Sequence, residues 1–531
     1  MTNVSGRRRL TELIVLAAIL VVAVVTRLPG LDHRGPWDSD QGHDMRVLAA
    51  LVQHGQVPLL GPQTSIGTFH HGAAYYALLA PAAWISAADP VAVTGEIALL
   101  GIGAVAATWW FGRLVGGRVA AAIAGVLAAL SPSGIDESTF IWNPNPVPFA
   151  AALAFAGALV AWRSGRARWW LLAGAGAMLV MQLHVLGVVL VLPLVAAWVA
   201  DLRRRGRDGR PRRPTVLAGA GALAIIAAGY VPLLIHELTS DFGESRAILA
   251  YLSGGGGAGA PGIAVRLVMV AVRSVTWPLA GLVTDRPTAA GLALVVAVYV
   301  GAGAVLFVRR EVRPPAVLVL GTLAWSVVAL AIVAPSLATI TPGLPNDHYH
   351  AFLDPVVIVI VATGIARLAG PMRSRSARSS SITGPAVAVA LVAVLGILEL
   401  GAWPPAVASD GGWLDVDAAA QTTIDAVRAV QRPGDAAVLV GLPAFKPDDA
   451  LRFPLERRGL VPVPAEAGDM VPGAAVVTVV CDPLFDDATG AACGGPAEGA
   501  WLAAYPEKDL RLVQRFSAGP RRLISIYAPG G

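Results

Sequence analysis

The chain is 531 residues long, 55% hydrophobic and only 14% charged, with a mean hydropathy of +0.64, whereas soluble domains carry about 25% charged residues. That excludes an ordinary soluble enzyme and indicates a polytopic membrane protein. The net charge of +5 comes almost wholly from arginines, Lys446 and Lys508 being the only lysines, and their clustering in short loops speaks for membrane topology and against a nucleic-acid partner.

In chain order, Arg7 to Arg9 precede a first apolar segment with no small-residue cleavage site after it, so it reads as an uncleaved span. Further clusters follow at Arg113 and Arg118, at Arg163, Arg166 and Arg168, at Arg203 to Arg213, at Arg309, Arg310 and Arg313, and at Arg373, Arg375 and Arg378. Placing every cluster in the cytoplasm requires two spans between neighbours. Segments of roughly the 20 apolar residues a bilayer demands supply them: 10–28, 92–112, 118–134, 147–162, 168–182, 184–200, 215–235, 289–308, 315–336, 350–369 and 382–403. The run 168–200 is split at Gln182, Leu183 and His184, and Tyr75 to Ala88 is assigned as a juxtamembrane or re-entrant helix.

These eleven spans put the N-terminus in the cytoplasm and the C-terminus outside the plasma membrane. They also gather the polar residues other than arginine on the outer face, so an active site is expected there. The division expected is a membrane core over 1–404 and an extracytoplasmic α/β domain over 405–531. In the latter, helical patterns (Val416 to Val430, Asp449 to Arg458) alternate with strand patterns (Ala436 to Val440, Ala474 to Val480, Leu510 to Phe516, Leu523 to Tyr527). It contains no catalytic motif. Its two cysteines, Cys481 and Cys493, are expected to form a local disulfide in an oxidising compartment.

The chemistry-bearing stretches begin with "GPWDSDQGHDMRVL", Gly35 to Leu48. Asp38 and Asp40 can share a cation, or one can act as general base while the other orients a hydroxyl. The plainer reading is a solvated loop in which Asp40 caps the following helix. Asp44 reads as a face of that helix, and Asp32 as a loop residue. "HHGAAYY", His70 to Tyr76, offers His70, His71, Tyr75 and Tyr76 to a phosphate head group and a sugar, or its tyrosines to interfacial anchoring. Asn143 and Asn145 lie at Asn-Pro steps that are also ordinary helix-start punctuation. His184 reads as a structural histidine. His236, Glu237 and Arg246 lead into "SGGGGAGAPG", Ser253 to Gly262, a lid or a linker.

Together these stretches resemble the polytopic glycosyltransferases of the GT-C fold, especially the protein O-mannosyltransferase and aminoarabinose-transferase relatives. Asp40 with Gln41 matches the acidic motif of the first outer loop, and "HHGAAYY" matches the following juxtamembrane segment without its prolines. "WNPNPVPFAAALAF", Trp142 to Phe155, looks like the second outer loop, and "DHYHAFLDPVVIVIVATGIARL", Asp347 to Leu368, resembles the family's R-Y-x-x-P segment, with His348 where a basic residue is often found. The resemblance implies inverting transfer of a sugar from a polyprenyl-phosphate donor to a glycan, lipid or protein acceptor outside the cytoplasm. It implies Asp40 as base with Asp38 as its helper, and Gln41, His70, His71, Tyr75, Asn143, Asn145, Arg246, His348 and His350 as substrate-binding residues. A divalent metal on Asp38 and Asp40 is compatible with this but not required. The alternatives are a lipid or polysaccharide flippase and a non-catalytic cell-envelope assembly protein.

Overall fold

Long apolar helices dominate the computed structural model, which describes residues 2–64, 69–253, 261–281, 313–338, 347–369, 383–442, 448–465, 475–481, 494–505, 509–520 and 522–530. The first eight helices are α1 (Thr2–Arg27), α2 (Ser39–His54), α3 (Ala74–Ile85), α4 (Pro90–Gly116), α5 (Arg118–Leu130), α6 (Pro132–Asp136), α7 (Val147–Ser164) and α8 (Trp169–Leu183). Among the described residues, eight helical stretches are long and apolar enough to cross a membrane: Arg9–Arg27, Pro90–Gly116, Val147–Ser164, Val185–Arg207, Ile263–Ala280, Pro314–Val333, Asp347–Ala369 and Gly384–Gly401. Arg213–Gly229 with Val231–Thr239 makes a ninth, bent by 44° where a proline opens the second helix. The apolar helices α3, α5 and α8 are shorter.

Eight of the eleven expected spans coincide with these candidates, 118–134 and 168–182 fall on the shorter helices α5 and α8, and 289–308 lies outside the described residues. The split near His184 is present, because that residue leaves the helical region at φ −150° and ψ 127° before a 3-10 turn over Val185–Leu190. Tyr75 to Ala88 forms the short separate helix α3. Ile263–Ala280 is an addition to the expected list: Arg266 and Arg273 interrupt its apolar run in the sequence, and the fold buries Arg273 against Asp347.

Helix ends and small residues fix the bundle. The Arg27 guanidinium donates to the carbonyls of Ala128 and Ala129, both at 2.9 Å, and so caps α5 from the end of α1. Close approach of α7 and α8 depends on Gly176, where a Cβ would stand 2.6 Å from the Ala150 carbonyl oxygen.

Two sheets accompany the helices. β1 (Leu60–Gln63) pairs antiparallel with β2 (His70–Gly72), which delivers His70 and His71 directly before α3. The second sheet has five strands in the order β4-β3-β5-β7-β6: β3 (Ala436–Leu442), β4 (Val463–Pro464), β5 (Ala475–Cys481), β6 (Leu510–Ser517) and β7 (Leu523–Pro529). β3 runs parallel to β4 and β5, while β7 is antiparallel to β5 and β6. Every residue of β5 is buried, as expected for a central strand covered on both faces. Its alternate residues Val477 and Val479 meet Trp501 and Tyr527 in a small core, whereas Val476 and Val480 join Ile524, Ile526 and Leu451 in the core that continues into the membrane bundle. Cys481 at the end of β5 is disulfide-bonded. Cys493, its expected partner, lies outside the described residues.

Candidate active site

The helix α2 carries the acidic motif. Asp38, not Asp40, is its N-cap: the Asp38 carboxylate accepts from the Asp40 amide at 2.7 Å, and the Gln41 side-chain oxygen accepts from the Asp38 amide at 2.9 Å. This reciprocal capping box fixes the turn that presents Asp40. Asp40 is exposed in the first helical turn, where the partial positive charge of the helix end favours a carboxylate. Gln41, Asp44, Met45 and Leu48 are buried at the spacing of one helical face. Gln41 also donates through Nε2 to the Ile141 carbonyl at 2.8 Å, tying the acid-bearing turn to the segment between α6 and α7.

Asp44 is fully inside. Its two carboxylate oxygens accept from the hydroxyls of Tyr75 at 2.7 Å and Tyr76 at 2.8 Å. Burial pushes its pKa up to about 7 against the opposing effect of those hydrogen bonds. Burial and the Asp44 charge raise both phenols well above their ordinary value, so they remain donors through neutral pH. The tyrosines are therefore interior groups that join α2 to α3, with exposures of 0% and 1%, and not anchors at a lipid surface.

A second grouping starts one residue beyond the Gln41 tie. The Trp142 ring lies 4.3 Å from that of His348, His348 lies 5.7 Å from His184, and His184 lies 5.0 Å from His71. Tyr349 packs edge-on to His348 at 4.5 Å and against His184 at 5.3 Å. The Val185 amide donates to His71 Nδ1 at 3.3 Å, and the Leu186 amide to His184 Nδ1 at 3.3 Å. Burial, with His184 and His70 beside it, pushes His71 well below its ordinary value. It is a neutral imidazole that offers an N–H and no charge. Asn143 and Asn145 shape the loop around this grouping by donating to the carbonyls of Leu183 at 2.6 Å and Phe140 at 2.8 Å.

Charged groups brace the grouping from behind. Arg273 grips Asp347 through Nε at 2.9 Å and Nη2 at 2.7 Å, and His350 Nε2 stands 3.1 Å from the same carboxylate. His350 is wholly buried in that network. Glu137 is buried near Asp136, and burial followed by that neighbour and Asp347 pushes it up to about 8. His70 turns away toward Glu244, whose carboxylate meets both its amide at 2.7 Å and its Nδ1 at 2.8 Å. Arg246 is 61% exposed and paired with Asp241 at 2.8 Å.

The fold thus brings Asp38, Asp40, Gln41, His71, Asn143, Asn145 and His348 into one connected region. Tyr75 supports it through Asp44, His350 supports it through Asp347, and His70 and Arg246 belong to a neighbouring contact. Asp44, Trp142, Arg273 and Asp347 join the site without having been expected there. Asp44 had a signal, since it follows Gln41 by three positions on the face that continues to Leu48. Asp38 serves as the cap, and among the described residues no three His, Cys, Asp or Glu side chains converge as a metal-holding group.

An apolar helical bundle with a C-terminal sheet unit is the GT-C fold. In particular, ArnT from Cupriavidus metallidurans is similar at TM-score 0.57 in its apo state and 0.59 bound to undecaprenyl phosphate, in both cases with 13% identity over 97% of each chain. The Archaeoglobus fulgidus oligosaccharyltransferase tethered with an acceptor peptide is similar at TM-score 0.52 with 15% identity, over 98% of this chain and 74% of its own. At these identities the likeness is one of fold. No family model matches the chain, and no curated protein matches its sequence.

Proposed function

We propose that this protein is an inverting glycosyltransferase that moves a sugar from a polyprenyl-phosphate donor to an acceptor on the extracytoplasmic side of the membrane. The observation that supports the reading is the Gln41 to Ile141 tie, which joins the turn bearing the exposed Asp40 to the segment whose next residue, Trp142, packs on His348 in the cluster with His184 and His71. Support for a lipid-linked donor comes from the ArnT-like fold, ArnT being a protein solved with undecaprenyl phosphate.

In this mechanism the Asp40 carboxylate takes the proton of the acceptor hydroxyl as its oxygen attacks the anomeric carbon. The bond from that carbon to the phosphate oxygen breaks, and the lipid phosphate leaves with the electron pair. A positioned base of this kind contributes about 10²- to 10⁴-fold. Because His71 is neutral, its contribution to the leaving phosphate is an N–H hydrogen bond and not an ion pair. The faces of Trp142 and Tyr349 are suited to a sugar ring.

The test begins with mass spectrometry of the lipid that copurifies with the protein, followed by a transfer assay with that donor. Asp40→Asn is expected to lower turnover by about 10²-fold or more while expression and lipid binding persist. Undiminished turnover would remove the base assignment. For the orientation, a reporter fused after Arg207 should score as cytoplasmic and one after Glu137 as external; the reverse result would turn the site inward.

A further inference from the structure

Trp37, the residue before the Asp38 cap, has its polar groups engaged by distant parts of the chain. Its amide donates to Asp410 Oδ2 at 2.8 Å, its indole N–H donates to the Ala450 carbonyl at 2.8 Å, and its own carbonyl accepts from Arg522 Nη2 at 2.5 Å. Arg522 Nη2 also reaches Asp410 Oδ2 at 3.3 Å, and Asp410 Oδ1 accepts from the Gly412 amide at 3.0 Å. The indole packs 4.5 Å from the Trp413 ring and 6.0 Å from Phe453. Two turns into α2, Arg46 bonds Asp449 at 2.7 Å and Glu456 at 2.9 Å.

Arg522 is 0% exposed. Removing a guanidinium from water is unfavourable unless its partners are well placed, and here one partner is the carbonyl of the residue that leads into the acidic turn. A contact that only tethered the sheet unit to the bundle could be made at an exposed rim. This one is buried behind Asp38.

We propose that Asp410 and Arg522 are positioning residues for transfer: they hold Trp37, and through it the Asp38 to Asp40 turn, so that the C-terminal sheet unit is part of the construction of the active site. The proposal rests on the reading of Asp40 as the base. Displacing a reacting group by about 1 Å can lower a rate about 10²-fold, which gives this clamp a function beyond stability.

The experiment compares Arg522→Met, Arg522→Lys and Asp410→Asn in the full chain. In hydrogen exchange, the Trp37 to Gln41 segment of Arg522→Met and Asp410→Asn should exchange about 10- to 100-fold faster, as expected for losing one charge-assisted hydrogen bond, with α4 and α7 unchanged. Unchanged exchange of that segment in both variants overturns the proposal. Should Arg522→Met lose protection throughout, Asp410→Asn, which keeps the side-chain size, carries the test. In the transfer assay with the copurified donor, kcat should fall about 10-fold or more with donor KM within about twofold, and Arg522→Lys should recover part of the loss. Full turnover in Asp410→Asn and Arg522→Met, where Asp40→Asn is inactive, also overturns it. Turnover retained in Asp40→Asn instead removes the base reading, and the exchange measurement then judges the clamp alone.

Discussion

Four carboxylates fall between Asp32 and Asp44, and their environments separate them. Asp38 caps, Asp40 is exposed, Asp32 sits 2.7 Å from the neighbouring His33 imidazole, and Asp44 is buried under two phenols. The folded pKa of Asp44, about 7, lies above its ordinary 3.8, so the native state favours the protonated form. Its contribution to stability is therefore greatest below pH 4 and is lost as pH rises toward 7, by on the order of a few kcal/mol. His43 acts in the same direction: its hydrogen bond to Asp449 raises it above 6.5, and that contribution fades as pH passes its folded value. Thermal unfolding in detergent should accordingly give a lower midpoint at pH 8 than at pH 5, and Asp44→Asn should remove part of that slope, Glu137 contributing in the same sense. Glu137, raised to about 8, is protonated at pH 7, so Glu137→Gln should change the pH 7 midpoint by less than about 1 kcal/mol equivalent. Local sequence separated these acids only coarsely, placing Asp44 on a helical face and Asp32 in a loop. The burial of Asp44 was not legible there, because the tyrosines that cover it lie 31 and 32 positions away.

At the scale of elements, the sequence was informative where a pattern is long and local. Eight spans, the shorter helices α3, α5 and α8, and four of the five strands of the C-terminal sheet follow from hydrophobic runs and alternation. β4 is only two residues long, and the Pro496–Ala504 helix has only nine, so neither offers a period to detect. Ile263–Ala280 was obscured because its arginines appear unaffordable in lipid until Asp347 is known to face Arg273. The contact of α2 with the Asp449–Arg457 helix was equally hidden, although Gly42 makes it close: a Cβ there would lie 2.0 Å from the Asp449 carbonyl oxygen. Gly42→Ala should gain about 1 kcal/mol of helix propensity but lose about 1–3 kcal/mol to the clash with backbone. The expected net result is a lower unfolding midpoint with weakened Arg46 to Asp449 pairing, measured by faster exchange in both helices.

For the whole molecule, the two faces of β5 decide how the parts share stability. One face closes a small core of its own, and the other belongs to the core that runs into the bundle through Leu451 and Trp413. Such sharing predicts that β5 and α2 lose exchange protection together on heating, as one cooperative unit, while α4 and α7 persist. Separate midpoints for β5 and α2 would mean that the sheet unit is energetically independent of the acidic turn.

The separation along the chain of the groups around Trp37 also sets an order in time. Asp410 is 373 residues downstream, Ala450 is 413 and Arg522 is 485. At synthesis rates of about 5–20 residues per second, the first loop would wait tens of seconds after its own translation for the last of its partners. A nascent or truncated chain would already possess the apolar helices to enter the bilayer, yet its acidic turn would be unfinished. Completion of the final hairpin would then coincide with the onset of activity, and a chain ending before Arg522 should be found in the membrane fraction without transfer.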